Sequence, residues 1–186
     1  VPAPSNPDGN FVGGIFKDRG EGRNLTGYDA LTFWAKGTIT SSIEVGFGTD
    51  FEEDRFPVST IVNLTSGWTK YIVPMPDPSR LVQEKGMFFF SAGSYDVLLN
   101  DDPDNADSFN DNIGFTFWLD EIKFEKLGTI GQKRPIIFNG ADESIETFNG
   151  ATIQTTGIAF TSNLASGNDQ TVQLSTNYFT FNSSNP

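Results

Sequence analysis

The chain has 186 residues and a formal net charge of −12, with 37% hydrophobic and 13% aromatic residues. That length suits one medium domain, or one domain plus part of another, with enough apolar material for a proper core. The acidity argues against nucleic acid and anionic membranes, whose phosphates need clustered Lys and Arg, and suits a neutral ligand, a divalent cation or simple solubility.

Eighteen Phe against two Met, with 19 Gly and 10 Pro, predict a β-rich chain punctuated by turns. Residues 1–10 read as an extended lead-in, and 11–16, FVGGIF, as a short strand weakened by two glycines. After a charged loop over 17–26, residues 28–36, YDALTFWAK, form a strong strand. Leu31, Phe33 and Ala35 share one of its faces; Thr32, Trp34 and Lys36 share the other. Strands are predicted over 41–47 and 55–62, joined by an acidic loop at 48–54, and over 67–73, closed by Pro74 and Pro76. Residues 81–85 suit one helical turn, and 87–92 a fully apolar strand. A long loop over 93–114 holds Asp101, Asp102, Asp104, Asp107 and Asp111.

The clearest strand is 115–127, FTFWLDEIKFEKL, where Ile122 and Phe124 alternate with Glu121, Lys123 and Glu125. Asp120 falls in its middle, where the run should be most buried. A carboxylate there must be paired, hydrogen-bonded or bound to a cation. Composition changes at Gly128: 128–135 reads as a linker, and Asn, Thr, Ser and Gly rise after it. Short strands are expected at 145–148, 151–155, 158–161, 170–174 and 178–181. Strands at this spacing with Gly/Pro turns predict an all-β sandwich. No apolar run is long enough to cross a membrane as a helix.

The segments YDALTFWAKG (28–37), GWTKYIVPMPD (67–77) and FTFWLDEIKFEKLG (115–128) resemble those of jelly-roll carbohydrate-binding modules, of galactose-binding-like fold, from exported proteins of Bacteroidota. The tail from Pro135 to YFTFNSSNP is similar to the opening half of a bacterial Ig-like domain. The resemblance implies a jelly-roll β-sandwich over 1–128 and a partial Ig-like β-sandwich over 129–186. It implies a non-catalytic carbohydrate-binding module on an extracellular or cell-surface protein, taking a neutral polysaccharide or oligosaccharide. It further implies a structural Ca²⁺ near the end of the last jelly-roll strand, with Asp120 as its first candidate ligand. In that family one or two strands precede the position of Val1, and the Ig-like half here stops before its remaining strands. Open sheet edges of this kind lead to an alternative: a subunit of an extracellular filament, assembled by β-strand exchange between copies through residues 1–10 and 178–186.

Sites for sugars combine an aromatic face, packed on the C–H face of a pyranose, with planar polar groups on the hydroxyls. Trp34, on the polar face of its strand, is the first platform candidate; Trp68 and Trp118 read as core. Phe51, Tyr95 and Phe109 stand in loops beside acids, where a large apolar group is harder to explain by packing. Glu44, Asp50, Arg55 and Asn100 are the polar candidates. The chain contains neither Cys nor His, which removes thiolate chemistry and any Ser–His–Asp or Cys–His site. A metal would then be a hard cation held by oxygen, Ca²⁺ first, with Asp102 and Asp104 of the acidic loop as further ligand candidates. That loop lacks the Gly and closing Glu of an EF-hand.

Overall fold

A period of two between apolar and polar side chains runs through most of the chain, and such runs form pleated strands with one wet face. The computed structural model describes residues 1–3, 9–52, 55–93, 114–141, 146 and 155–181. Among these, ten strands form: β1 (Phe11–Lys17), β2 (Ala30–Gly37), β3 (Ser41–Phe47), β4 (Val58–Leu64), β5 (Thr69–Pro74), β6 (Gly86–Gly93), β7 (Phe117–Glu125), β8 (Lys133–Ile136), β9 (Ala159–Asn163) and β10 (Asp169–Leu174). They build two antiparallel sheets, ordered β1-β6-β3-β4-β10-β9-β8 and β5-β2-β7. The all-β sandwich expected from the sequence is the architecture observed.

Three local expectations change. The helical turn expected at 81–85 lies instead at Pro78–Arg80, because Asp77 caps it there by accepting from the Ser79 N–H at 3.1 Å and the Ser79 hydroxyl at 2.6 Å. The linker expected over 128–135 contains most of β8. Pro135 is tolerated in that strand because β8 is an edge, where a missing donor breaks no ladder. Residues 178–181 form no strand; a 3₁₀ turn at Thr176–Tyr178 takes the chain there, and Tyr178 donates its hydroxyl to the Phe56 carbonyl at 3.0 Å. The strands expected at 145–148 and 151–155 fall almost wholly outside the described residues.

The strands after Gly128 continue the larger sheet. β10 joins β4 through Gln173 opposite Ser59 and Leu174 opposite Val58. Thr60 reinforces the junction, donating to the Thr171 carbonyl and accepting from the Gln170 amide, each at 2.9 Å.

The core lies between the sheets. Leu31, Phe33 and Ala35 of β2 face Ile43, Val45 and Phe47 of β3 and Val58, Val62 and Leu64 of β4. Aromatic rings interlock across the gap: Phe33 with Phe88 at 5.7 Å, Phe47 edge-on to Phe124 at 5.7 Å, and Phe90 edge-on to Phe117 at 5.5 Å. Each fully buried side chain of this size contributes about 2–3 kcal/mol by transfer from water. Gly46 is needed where β3 and β4 approach: a Cβ there would strike the Val58 carbonyl and lie 2.7 Å from the Phe89 ring.

One irregularity decides what faces out. In β7, Lys123 stands opposite Thr32 and Asp120 opposite Trp34, so Glu121 and Ile122 together face a single residue of β2. This is a β-bulge, and Glu121 takes a left-handed φ of 48° to make it. The extra residue inverts the alternation. Phe117 and Leu119 pack inward before it and Phe124 after it, while Trp118 and Asp120 point away from the core. The burial expected for Asp120 is therefore overturned: it is exposed, and its Oδ1 accepts the Glu121 N–H at 2.8 Å.

Candidate functional site

The outer face of the three-stranded sheet carries all three tryptophans of the chain. β2 supplies Trp34 and Lys36, whose Cβ atoms share a parity opposite to that of the core residues Phe33 and Ala35. Register places Trp34 between Lys70 of β5 and Asp120 of β7. One row along, Lys36 stands opposite Trp118, and Trp68 lies on its other side, one residue beyond the Ala35–Thr69 pair. Trp34, Trp68 and Trp118 remain 36%, 45% and 44% exposed. Trp68 and Trp118 are thus surface residues, not the core residues expected from their motif strands; the β7 bulge turns Trp118 outward, and Trp68 precedes β5 at its edge.

Lys36 orders the two outer indoles. Its Nζ lies 5.0 Å from the Trp68 ring centroid and 4.9 Å from that of Trp118, a cation–π contact on each side. In the rows beyond Trp34, charges are mutually satisfied. Glu125 accepts from the Thr32 hydroxyl at 2.6 Å and from Lys70 Nζ at 2.7 Å through one oxygen, while Lys123 Nζ lies 3.1 Å from the other. Hydrogen bonding from Lys70, then from Thr32, pulls the Glu125 carboxyl down to about 2. The Lys123 ammonium is raised above its ordinary value by its hydrogen bond to Glu125. The three strands carry Lys36, Lys70 and Lys123 against Asp120, Glu121 and Glu125, so the chain's net charge of −12 resides elsewhere. Chemically the face offers three indoles, an ammonium, a solvated carboxylate and a hydrogen-bonded charge network, all on a rigid sheet.

The other candidates from the sequence lie elsewhere. Glu44 is on the outer face of the seven-stranded sheet, the opposite side of the sandwich from Trp34, and accepts from the Ser91 hydroxyl at 3.2 Å. Beside it, Phe11 and Ile61 are 63% and 68% exposed around a shallow depression. Asp50, Phe51 and Arg55 share the β3–β4 connection. Asp50 is buried and accepts the Glu52 N–H at 2.9 Å; Phe51 is 84% exposed at a left-handed φ of 66°. Asp50 and Arg55 help line a cavity of about 470 Å³ with Arg80, Gln83 and Glu84. Tyr95, Asn100, Phe109, Asp102 and Asp104 lie outside the described residues. Among the described residues no group of three or more carboxylates gathers as a cation site, and no helix is long and apolar enough to cross a membrane.

The structure brings Trp34 together with Lys36, Lys70, Trp68, Trp118 and Asp120, and separates it from Glu44 and from the Asp50 loop. Lys36 and Lys70 were not legible as site residues. Their one local signal was parity: Lys36 shares a face with Trp34. Comparison with protein-family models, with curated proteins and with solved structures gives no match for this chain.

Proposed function

We propose that this protein is a non-catalytic carbohydrate-binding module that takes glycans on the outer face of its three-stranded sheet. One observation carries the reading: every tryptophan of the chain stands exposed on that one face. Folding gains most by burying large apolar groups, so a contiguous set left in water marks an interaction surface. Indole faces suit the C–H face of a pyranose, and the exposed Asp120 carboxylate opposite Trp34 supplies an acceptor for its hydroxyls. The absence of net charge on the three strands suits sugars better than a strongly charged polymer.

Affinity electrophoresis in gels containing neutral β-glucans, mannans or xylans tests the proposal. Mobility falls in the presence of at least one of them. Trp34→Ala and Trp118→Ala each weaken retention by roughly tenfold, the scale of a lost aromatic anchor, with unchanged melting temperature. Folded protein that no polysaccharide retards, or retardation untouched by removing all three indoles, contradicts it.

A further inference from the structure

We infer that the glycan taken on the three-tryptophan face carries isolated acidic substituents among neutral sugars, and that Lys36 receives the acid. The inference rests on the reading of that face as a glycan site and names its ligand class more closely.

Lys36 has a defined position, which a surface lysine ordinarily lacks. Register puts it between two exposed indoles, and its Nζ lies equally near both, 5.0 Å and 4.9 Å from their centroids. The ring faces stabilise the charge but accept no conventional hydrogen bond, so the three N–H donors of the ammonium still need oxygen partners. A sugar packed on either indole brings its ring substituents to that ammonium. A carboxylate or sulfate oxygen there makes a charge-assisted hydrogen bond between two apolar walls, where such a bond is stronger than in open water.

The other lysines of the sheet do not offer this. Lys70 and Lys123 both pair with Glu125, at 2.7 Å and 3.1 Å, and Lys123 also reaches Glu121 at 3.7 Å. A ligand acid at either would have to displace a carboxylate of the chain itself. Among the described residues no carboxylate stands within ion-pair distance of Lys36. Among the described residues Lys36 is therefore the one lysine of this sheet without a carboxylate partner.

The charge balance of the three strands sets the spacing of the acids. They carry Asp120, Glu121 and Glu125 against Lys36, Lys70 and Lys123, so a polymer charged at every sugar would bring further acids against those carboxylates. A single acid among neutral sugars meets Lys36 without that repulsion. A uronate carboxylate and a sulfate ester present the same chemistry to a compact ammonium, which lacks the fork that would favour one planar acid.

Four matrices separate the outcomes: glucuronoxylan, its carboxyl-reduced form, a sparsely sulfated galactan and its desulfated form. The full chain is compared with Lys36→Met, which keeps an unbranched, aromatic-compatible stem between the indoles, and with Lys36→Arg, which keeps the charge; melting temperatures check folding. The expected result is retention on one acidic matrix that drops roughly two- to fivefold on its neutralised form. Lys36→Met removes the difference in retention between the acidic matrix and its neutralised form, and Lys36→Arg restores much of that difference. The matrix that responds identifies carboxylate or sulfate as the acid. Equal retention on each acidic matrix and its neutralised partner, or retention indifferent to Lys36→Met, overturns the inference while the glycan site stands. Failure of the folded chain to bind any of the four overturns the inference, and the glycan site falls with it only if neutral β-glucans and mannans also leave the chain unretarded.

Discussion

Glu125 shows how one side chain maintains the outer face. It is 23% exposed at its side chain and joins all three strands, through Thr32 of β2, Lys70 of β5 and Lys123 of its own strand. Its folded-state pKa, about 2, lies below the ordinary 4.5. A depressed acid contributes stability that is present above its unfolded pKa and lost as pH falls through the folded one. Melting temperature should therefore fall between about pH 4.5 and pH 2, and Glu125→Gln should flatten that fall relative to the parent. Identical pH profiles for the two would show that the network is not coupled to folding. Parts of this scale were legible from sequence. Trp34 shares a face with Thr32 and Lys36, so its exposure followed from alternation. The Lys36 sandwich did not, because Trp68 and Trp118 meet it only through the register of two other strands.

At the scale of elements, β7 is where local pattern and structure part. Ile122, Phe124, Trp118 and Asp120 have the same parity, so an uninterrupted strand would bury all four together. The bulge breaks that parity between Asp120 and Lys123. Only with it do Phe117, Leu119 and Phe124 all face the core while Trp118 and Asp120 face water. No Gly or Asn marks the position; Glu121 adopts φ 48° because the packing of Phe117 and Phe124 on either side demands it. A β-branched residue tolerates that conformation least. Glu121→Val should destabilise the fold by about 1–2 kcal/mol, while Glu121→Gly should be near neutral, since relief of the left-handed backbone offsets lost chain entropy. Urea unfolding of the two variants makes the comparison. Equal destabilisation by both would trace the effect to the Glu121–Lys123 ion pair instead of the bulge.

At the scale of the molecule, the sandwich has two outer faces, and sequence alone could not say which candidates share one. Trp34 and Glu44 lie on opposite sides, and Asp50 with Arg55 in a connection between strands. Strand identity, the β-sandwich and most of the core followed from alternation and from the apolar runs. The junction of β10 with β4 did not, because it pairs Gln173 and Leu174 with residues more than a hundred positions earlier, by contacts no local pattern encodes. One face collects Trp34, Trp68 and Trp118, and the chain has no other tryptophan. Its intrinsic tryptophan fluorescence therefore reports on that face alone. Titrating the folded protein with a polysaccharide that retards it in gels should shift the emission to shorter wavelength and lower its quenching by acrylamide, saturating at the same ligand concentration as retention. Retention with emission and quenching unchanged would place the glycan elsewhere on the molecule and contradict the account.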